Sequence, residues 1–420
     1  MRILLVGNHT CGNRGDGAIL RGLLDSLRLN DSTVDLDILS RYAVSSEYLL
    51  GESMIQDDLY SSRISKKNGL ISKLKNKIIN KIMPFVLVSH AKKNGFLRYY
   101  PLPKHISDFV NSLKDYDAII QVGGSFFVDL YGSGQFEHIL CSAIANKPIY
   151  LIGHSVGPFE INSFNKIAHY AFSKSKQVIL REDVSRNLML KDNFDMSNVT
   201  MGVDTAFLVQ TDIIISDYII SHWLQLIDKK KTVAITVRKL APFDRRLGVT
   251  QKEYEIAIVR MINYLISKGY QVIAFSTCTG IESYHNDDRM VALSIQKLVN
   301  NESFHVVMDE INDLQLGALL NKCSFTIGTR LHSAIISINF GTPAIAINYE
   351  HKSLGVMQGL NMNELSASVD DLINSNIIKK IDFLISNYEE INQKLYLNLT
   401  ATRELGHTMV AQVLKSIGEK

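Results

Sequence analysis

Cysteine and proline are both scarce in this chain of 420 residues. Its four cysteines are far apart and match neither a C-x-x-C motif nor the spacing of a zinc site. We therefore expect free thiols in a reducing compartment. The seven prolines leave no Pro-rich linker anywhere in the chain.

Long apolar runs are absent as well. No stretch reaches the length needed to span a bilayer, and Met1–Gly7 lacks the longer apolar region and cleavage site of a signal peptide. The formal net charge of +3 is too near neutral to indicate nucleic-acid binding. With 46% apolar and 21% charged residues, the chain has the composition of a globular protein. We expect a cytoplasmic protein that binds no nucleic acid.

Asp and Glu are missing from one segment, Leu59 to Ile106, which carries eleven lysines and arginines. Because the whole chain has a net charge of +3, the remainder carries −8, the difference between +3 and +11. Apolar residues recur on one helical face of this segment and lysines on another: Ile71, Leu74, Ile78 and Ile82, and Lys73, Lys77 and Lys81. The pattern predicts either a basic amphipathic helix that lies on anionic lipid at the inner face of the membrane, or a solvated helix packed on its own domain.

Short apolar runs alternate with helical patterns, which is typical of βα units on parallel sheets. The runs that predict strands are Arg2–Gly7, Val34–Ser40, Ala118–Val122, Ile149–Gly153, Val178–Arg181, Val199–Gly202, Val233–Val237, Gln271–Ser276, His305–Met308, Phe325–Gly328 and Ala344–Asn348. They fall into two consecutive sets, and 420 residues are too many for one ordinary core. The sequence therefore predicts an α/β protein with two Rossmann-like, doubly wound domains.

The domain boundaries follow from these two sets. We expect an N-terminal Rossmann-like domain over 1–205 with a basic helical insertion at 59–107, a linker over 206–231, a C-terminal Rossmann-like domain over 232–375 and C-terminal helices over 376–420. Ligands of such sheets bind beyond the carboxyl ends of the strands. We therefore expect the site in the cleft between the two domains.

A glycine-rich loop, Asn8–Gly17, follows the first candidate strand and precedes a helical pattern. Its backbone N–H groups and the helix N-terminus are suited to an anion, which makes Asn13 and Gly15 candidate substrate-binding residues. The glycines fit neither G-x-G-x-x-G nor the P-loop, so nucleotide phosphate binding is weakly supported. Asp16 is either a first-turn acid favoured by the helix dipole or a catalytic carboxylate.

Two further loops follow candidate strands of the first half. Gly123 and Gly124 come after Ala118–Val122, and His154 comes after Ile149–Gly153. Glycine pairs are common where backbone segments approach closely, and His154 is either a ligand or a histidine bonded to local backbone. Because all three residues lie at strand ends, they are candidate substrate-binding residues.

The second half contains a stronger cluster of charged residues. Arg238 follows Val233–Val237, and Arg330 and His332 follow Phe325–Gly328 at the start of a helical pattern. Positive charge is disfavoured at a helix N-terminus, so an Arg-x-His pair there indicates that an anion is supplied from outside. Arginine forks bind phosphate and carboxylate best, and the pattern alone leaves the anion open.

Several longer segments resemble the polysaccharide pyruvyl transferase family: GNHTCGNRGDGAILRGLLDSL, SRYAVSS, YDAIIQVGGSFFVDLYG, IGHSVGPF, GVDTAFLV, VAITVR, APFDRRLG, STCTGIESY, DDRMVAL and GTRLHSAIISINFGTPAIAINYEHKS. They run in order from Gly7 to Ser353. The G-N-x-G-D and T-R-L-H segments are fairly specific for the family, and the longer ones resemble its colanic acid branch. The resemblance implies a fold similar to that of the GT-B glycosyltransferases.

The resemblance also implies a function. Such an enzyme transfers the pyruvyl group of phosphoenolpyruvate to two hydroxyls of a sugar, expected here to be galactose, in a repeat unit of the exopolysaccharide colanic acid. It releases phosphate and leaves a cyclic ketal on the sugar. The expected acceptor is a lipid-linked oligosaccharide. Phosphoenolpyruvate would be a co-substrate, and neither a cofactor nor a metal is expected.

Residue roles follow from positions in the family's motifs. The donor would be contacted by Arg238, Arg330 and His332. The unperturbed pKa of histidine suits proton transfer near neutral pH, so His332 would be the acid. Asp16 and Glu350 are the alternatives for the base, and Lys352 is a further candidate for holding an anion.

Two other functions remain open at this point. A fold does not decide chemistry, so a GT-B glycosyltransferase that uses a nucleotide sugar is one alternative, although the second half shows no clear acidic ligand for a ribose. The other is a non-catalytic assembly component that binds a lipid-linked oligosaccharide through the basic segment. The presence of Arg238, Arg330 and His332 favours the enzyme over this component.

Overall fold

The computed structural model of the chain describes residues 1–64, 70–212, 217–282, 284–349 and 351–419. These residues group into two compact units. Unit 1 contains Met1–Thr10, Ser26–Thr205 and Gly406–Lys420, and unit 2 contains Cys11–Asp25 and Ala206–Leu405. Each unit has its own parallel sheet, as the prediction of two Rossmann-like domains requires.

Two segments group differently from the expected boundaries. Cys11–Asp25, expected in the first domain, belongs to unit 2, where Arg14 bonds to the chain after a strand of that unit. The described part of 206–231, expected as a linker, also belongs to unit 2. It carries the buried Trp223, whose indole donates a 2.7 Å hydrogen bond to Asp309.

In the described part of unit 1, the strands are β1 (Arg2–Asn8), β2 (Asp35–Ser40), β3 (Ile55–Gln56), β4 (Ala118–Gln121), β5 (Gly124–Phe127), β6 (Ile149–Val156), β7 (Gln177–Leu180) and β8 (Val199–Met201). Their order is β3-β2-β1-β4-β6-β7-β8, β5 pairs with β6, and every pairing is parallel. The order changes direction between β1 and β4. A doubly wound sheet binds its ligands beside such a point.

The longer helices of the first half are α1 (Arg14–Asn30), α2 (Ala43–Leu50), α3 (Asp58–Ile64), α4 (Leu70–Lys92), α5 (Lys104–Ser112), α6 (Glu137–Ala145), α7 (Asn162–Lys174) and α8 (Asp183–Lys191). Aromatic rings fill the centre of the unit 1 core. The ring of Phe127 lies 5.0 Å from that of Phe136 and 5.4 Å from that of Phe172. Large buried rings of this kind dominate the apolar burial that stabilises a core.

The basic segment from Leu59 to Ile106 is helical over much of its described part, in α3, α4 and α5. Several of its patterned residues, or their side chains, lie outside the described part: Lys66, Lys67, Ile71, Lys73, Leu74, Lys77 and Ile78. The second half of α4 is packed on unit 1, because Met83, Val86 and Leu87 are buried in its core. The patterned residues precede this half of the helix, so the choice between the two alternatives stays a prediction. Within the described ranges, no helix has the length and apolar character that crossing a bilayer requires.

In the described part of unit 2, the strands are β9 (Thr232–Thr236), β10 (Gln271–Phe275), β11 (Phe304–Val306), β12 (Phe325–Gly328), β13 (Ala344–Asn348) and β14 (Ser366–Ser368). All pairings are parallel, in the order β11-β10-β9-β12-β13-β14. This is the 3-2-1-4-5-6 order of a Rossmann fold. The direction changes between β9 and β12, so these strands flank the expected ligand site of unit 2.

The helices of the second half are α9 (Tyr218–Ile227), α10 (Asp244–Leu247), α11 (Gln251–Ser267), α12 (Asp288–Val299), α13 (Asp313–Asn321), α14 (Leu331–Asn339), α15 (His351–Gly359), α16 (Val369–Ile373), α17 (Ile377–Ser386) and α18 (Tyr388–Gly418). Helix α11 shows how sequence sets an element. A capping box between Thr250 and Glu253 starts it, and Tyr254, Ile258 and Met261 form its buried face. This packing directs Tyr254 towards the end of β12.

The predicted strands are all present, with ends that differ by at most three residues; the largest difference is in β6, which continues to Val156 instead of ending at Gly153. Three observed strands were not predicted, namely β3, β5 and β14. They are short, at 2, 4 and 3 residues, and none is a continuous apolar run. These strands form because they pair with a neighbouring strand, and their own sequences show no strand pattern.

Candidate functional site

The sheet of unit 2 places three predicted residues at its change of direction. Arg238 follows β9, and Arg330 and His332 follow β12. Because the carboxyl ends of parallel strands meet at one edge of a sheet, the two strands that flank this point present all three residues on the same edge. This edge of unit 2 is the candidate site.

Buried hydrogen bonds fix the T-R-L-H segment at that edge. The Tyr254 hydroxyl lies 2.8 Å from Thr329 Oγ1, and burial raises the pKa of Tyr254 to about 12. Ser333 Oγ lies 2.7 Å from Thr236 Oγ1 at the end of β9. Gly328 leaves room for this contact, because a Cβ there would lie 2.0 Å from Ser333 Oγ. The backbone that carries the charged side chains is therefore held from both sides.

Arg330 forms a two-point ion pair with Asp288, the first residue of α12. Its Nε and Nη2 each lie 2.8 Å from a carboxylate oxygen. Burial alone would lower the pKa of Arg330, but the charge of Asp288 raises it well above the ordinary value. The arginine is charged at neutral pH, and one edge of its guanidinium is already occupied. Its predicted role in binding an anion therefore depends on the remaining nitrogen, Nη1.

Arg238 is a buried cation without a carboxylate partner in the described ranges. It is 7% exposed, and its guanidinium carbon lies 4.0 Å from the ring centroid of Tyr349 and 5.1 Å from that of Phe243. Its Nε donates a 3.0 Å hydrogen bond to the Lys239 carbonyl. A buried charge without a counter-charge is costly, so this geometry favours an anionic ligand.

Arg14, inside the G-N-x-G-D segment, anchors the first loop within unit 2. Its backbone N–H donates a 2.7 Å hydrogen bond to the Thr277 carbonyl, just after β10. Its side chain is 1% exposed, donates to Thr279 Oγ1 at 2.9 Å and forms an ion pair with Glu310. Arg14 was not among the predicted site residues. Its position inside one of the two most specific motifs is the signal that identifies it.

The anchored loop brings Gly15 against His332. A Cβ at Gly15 would lie 2.5 to 2.6 Å from Cγ, Cβ and Nδ1 of His332, closer than real Cβ atoms approach other atoms. Asn13 shapes the turn, because its Oδ1 accepts a 3.1 Å hydrogen bond from the Gly15 N–H. Two motifs that are far apart in the sequence thus meet at one point of unit 2.

Asp16 is buried in the first turn of α1. Its charge acts on Cys278, where burial raises the pKa of the thiol to about 12 and Asp16 adds to that effect. The sequence places Asp16 and Glu350 in opposite domains, whereas Asp16 belongs to unit 2 together with His332. Glu350 itself lies outside the described residues. The choice between a first-turn acid and a base stays a prediction.

A cavity of about 610 Å³ opens at the ends of β13 and β14. Its lining includes Arg246, Asn348, Tyr349 and Ser366. Tyr349 also stacks on Arg238, so this residue belongs to both the cavity lining and the candidate site. The side chain of Lys352 lies outside the described part. Among the side chains that are described, no three of His, Cys, Asp or Glu are grouped so that they could hold a metal ion.

In unit 1 the two predicted glycines allow neighbouring atoms to approach the backbone closely. A Cβ at Gly123 would lie 2.7 Å from the carbonyl oxygens of Ile152 and Gly153. Gly124 has a φ of +142°, and a Cβ there would lie 2.6 Å from Cε2 of Phe126. Both positions need glycine for close approach, as glycine pairs often do. Direct contact of either glycine with a substrate stays a prediction.

His154 lies inside β6 and is fully buried. Its Nε2 donates a 3.2 Å hydrogen bond to the Gln121 carbonyl, and its ring lies 5.0 Å from that of Phe127. Of its two predicted roles, this geometry is that of the histidine bonded to local backbone. We therefore place His154 in the core of unit 1 and not on a strand-end loop.

The burial of His154 predicts a loss of stability in mild acid. Burial lowers its pKa to about 3, from 6.5 in the unfolded chain. Below pH 6.5 the unfolded state binds a proton that the folded state does not, so the free energy of unfolding falls by up to about 1.4 kcal/mol per pH unit. His154→Gln should reduce this slope by about one proton between pH 6.5 and 5, measured by urea denaturation. Exposed His222→Gln is the control, and an unchanged slope in His154→Gln would contradict the expectation.

Arg181, after β7, joins three of the segments that resemble the family within unit 1. Its Nε donates to Ser155 Oγ at 2.8 Å, its Nη2 donates to Ser125 Oγ at 2.7 Å, and it forms a buried ion pair with Asp204. Ser125 comes from G-G-S, Ser155 from G-H-S and Asp204 from G-V-D-T. These residues were not predicted, although each motif has a small polar or acidic residue at a strand end.

Solved structures share the fold of the whole chain. A UDP-GlcNAc 2-epimerase from Neisseria meningitidis has a TM-score of 0.60 at 14% identity, covering 99% of this chain and 100% of its own. A glycosyltransferase from Rickettsia africae has a TM-score of 0.60 at 13% identity, covering 100% and 99%. HepE from Anabaena has a TM-score of 0.59 at 12% identity, covering 99% and 100%. At these identities the likeness shows the GT-B fold alone.

Sequence relatives show the family of the chain in addition to its fold. The amylovoran biosynthesis protein AmsJ of Erwinia amylovora is 53% identical over 420 residues, which is 100% of both chains. A sequence model described as polysaccharide pyruvyl transferase matches residues 13–351. The match begins at Asn13 in the G-N-x-G-D loop and includes the T-R-L-H segment, and the two meet in unit 2. The chain therefore belongs to the polysaccharide pyruvyl transferase family.

Proposed function

We propose that the protein transfers the pyruvyl group of phosphoenolpyruvate to two hydroxyls of a sugar in an exopolysaccharide repeat unit and releases phosphate. The observation that carries the proposal is Arg238, a buried guanidinium with no carboxylate partner in the described ranges, at the sheet edge that also carries Arg330 and His332. Phosphoenolpyruvate has a phosphate and a carboxylate, the anions that arginine forks bind best. Arg238 and Nη1 of Arg330 would supply donors to them.

The reaction needs an acid, and we assign that role to His332. Protonation of the donor's methylene carbon makes C2 electrophilic, and a sugar hydroxyl attacks it. The bond from C2 to the phosphate oxygen then breaks, and a second hydroxyl of the same sugar closes the cyclic ketal. The proton of the acid ends on the new methyl group. Of the two hydroxyl protons, one reprotonates the acid and the other leaves with phosphate. Arg238 and Arg330 would stabilise the charge on that phosphate.

The proposed reaction also needs a base and allows a further anion-binding residue. Asp16 is a buried carboxylate in the unit that holds His332, next to the Gly15 contact, and this supports Asp16 as the base. Glu350 is the alternative, and Lys352 is the further candidate for holding an anion. No step of the proposed reaction requires a cofactor or a metal.

The acceptor we propose is a galactose residue of a lipid-linked oligosaccharide in a colanic-acid-type pathway. Support comes from the resemblance to the colanic acid branch and from a full-length relative named for the biosynthesis of amylovoran. We further propose a peripheral position at the inner face of the inner membrane. The eleven positive charges between Leu59 and Ile106 support attraction to anionic lipid.

A phosphate-release assay tests the reaction. The full-length protein is incubated with phosphoenolpyruvate and a galactose-terminated oligosaccharide, and we expect one phosphate for each ketal formed. UDP-galactose in place of phosphoenolpyruvate should give no transfer. Transfer with UDP-galactose alone would establish the glycosyltransferase alternative instead. Binding of the oligosaccharide without any turnover would favour the non-catalytic component.

Substitution of the proposed acid should reduce the rate more than the affinity. General acid catalysis contributes about 10²- to 10⁴-fold, so His332→Gln should lower kcat by about 100-fold or more with a small change in KM for phosphoenolpyruvate. His305→Gln, on β11 of the same unit, is the matched control and should keep full activity. A His332→Gln enzyme with unchanged kcat would remove His332 from the reaction.

A further inference from the structure

A second group of aromatic and polar side chains lies in unit 1. Arg41 follows β2, His9 follows β1 and Phe126 is part of β5, so the group sits where the strand order of unit 1 changes direction. We call the group the Arg41 cluster, and its members are His9, Arg41, Tyr42, Tyr60, Phe126, Tyr131 and Gln135. None of them was among the predicted site residues.

Arg41 is the centre of the cluster. It is 8% exposed, and its guanidinium carbon lies 4.9 Å from the ring centroid of Tyr60 and 5.7 Å from that of Phe126. Its Nη2 donates a 2.6 Å hydrogen bond to Gln135 Oε1. Its buried Nε makes no hydrogen bond to any residue in the described ranges. A buried donor of this kind is destabilising, and a ligand oxygen beside Nε would satisfy it.

The rings around Arg41 form a partly open aromatic surface. The imidazole of His9 lies 5.8 Å from the rings of both Tyr42 and Phe126. The ring of Tyr131 lies 6.3 Å from that of Phe126 and is 47% exposed, so one side of the cluster faces solvent. Burial, together with the charge of Arg41, lowers the pKa of His9 to about 3. At pH 7 the imidazole is therefore neutral and can both donate and accept a hydrogen bond.

The charges around Arg41 favour a neutral ligand over a phosphate. The carboxyl groups of Asp57 and Glu137 act on Arg41, as does the guanidinium of Arg63. Arg63 lies 3.5 Å from Glu137, and Asp57 lies 3.4 Å from His138. Among the side chains that the structure describes here, two arginines face two carboxyl groups, so these four groups carry no excess positive charge to attract an anion.

We propose that the Arg41 cluster is a binding subsite for a neutral pyranoside. A pyranose has a face of C–H groups that packs on aromatic rings and an edge of hydroxyls that bond to guanidinium, amide and imidazole groups. The cluster presents a few polar groups among aromatic rings at the expected ligand position of a doubly wound sheet. The pyranoside would be the acceptor sugar of the proposed reaction, and this identification rests on the proposed function.

Binding of methyl β-D-galactopyranoside to the full-length protein tests the subsite without catalysis. Saturation-transfer difference NMR should show transfer to the C–H protons of the sugar in the wild type. Phe126→Leu removes an aromatic face and Arg41→Lys removes the guanidinium fork, so each should weaken binding by about 10-fold or more. Tyr131→Ala, at the exposed rim, should weaken binding without risk to folding. Tyr99→Ala, at a 70% exposed position of unit 1 outside the cluster, is the control and should bind normally.

Three results would overturn the proposal. The first is equal binding by the wild type and all three cluster variants, with folding confirmed by circular dichroism. The second is the absence of saturation transfer in the wild type. The third is binding of inorganic phosphate that Arg41→Lys abolishes, without binding of the glycoside, because the cluster would then be an anion site.

The same variants separate this proposal from the proposed reaction. If the glycoside binds at the cluster but phosphoenolpyruvate gives no phosphate release, the subsite stands and the proposed function fails. If Phe126→Leu and Arg41→Lys transfer pyruvyl groups with the wild-type KM for the acceptor, the function stands and the subsite fails.

Discussion

Gly15→Ala is expected to lower kcat/KM for phosphate release from phosphoenolpyruvate by about 100-fold or more. A Cβ at Gly15 would lie 2.5 to 2.6 Å from atoms of His332, so either the imidazole or the loop must move. A displacement of about 1 Å at a reacting group is enough to cost about 100-fold in rate. Steady-state phosphate release at several donor concentrations measures the effect, and circular dichroism shows whether the variant is folded.

Gly17 supplies the matched control in the same turn of α1. A Cβ there would meet no atom closer than Cys11 Cβ at 3.5 Å, which is ordinary contact. Alanine is a better helix former than glycine by about 0.5–1 kcal/mol, so Gly17→Ala should keep full activity and unfold at a slightly higher temperature. Equal losses in the two variants, or full activity in both, would show that the contact between Gly15 and His332 does not matter for the reaction.

The fold was predictable because its central strands are continuous apolar runs. β4 and β12 are buried along their whole length, and short, mostly apolar runs between helical patterns are typical of strands in a parallel sheet. β5 was missed because it begins at Gly124 and, among the described strands, pairs with one neighbour, β6. No local pattern marks such a strand, since its hydrogen bonds come from a partner elsewhere in the chain.

The candidate site was predictable in its parts but not in its contacts. The positions of Arg238 and His332 follow from one rule, that ligands lie at the carboxyl ends of parallel strands. The pair between Arg330 and Asp288 and the approach of Gly15 to His332 follow from no such rule. They depend on which unit the first loop packs against, and only the folded chain settles that.

The Arg41 cluster was missed for a related reason. Its residues are spread over the sequence from His9 to Gln135, and none belongs to a motif with a known spacing. Gly124 was predicted to contact substrate, and its observed role is to leave room for the ring of Phe126. Gly124 and Phe126 of the Arg41 cluster lie on the same strand, β5, and direct contact of Gly124 with a substrate stays a prediction.

Arg238→Met is expected to lower kcat/KM by about 100- to 1000-fold while the free energy of unfolding stays unchanged or rises. The substitution removes a buried charge that has no carboxylate partner in the described part of the chain. It also removes a hydrogen bond to the Lys239 carbonyl and the stacking on Tyr349, which are worth about 1 kcal/mol each. These losses offset part of the gain, so the net change should lie within about 1 kcal/mol of zero.

Arg14→Met makes the same chemical change at a paired site of the same unit. It removes the buried cation that pairs with Glu310, which keeps the weaker contact with Arg289 at 3.7 Å, and it removes the donors to Thr279 Oγ1 and to the Cys11 carbonyl. Because removing one partner of a buried pair is strongly destabilising, the free energy of unfolding should fall by about 3 kcal/mol. Urea denaturation of both variants gives the comparison. If Arg238→Met unfolds as readily as Arg14→Met, Arg238 is a structural residue.

Stabilisation by the donor, phosphoenolpyruvate, is a second measurement that distinguishes the roles of Arg238 and Arg14. A ligand present at about 100 times its Kd stabilises the folded state by about 2.7 kcal/mol, so phosphoenolpyruvate should raise the wild-type unfolding temperature. Arg238→Met should lose most of this increase. Arg14→Met is expected to be less stable, but its folded fraction should still be stabilised by the donor. Stabilisation of Arg238→Met to the wild-type extent would place the donor elsewhere. The expected pattern would have a single physical cause: among the described residues of unit 2, Arg238 has no carboxylate partner, and in the proposed reaction the donor would supply that charge.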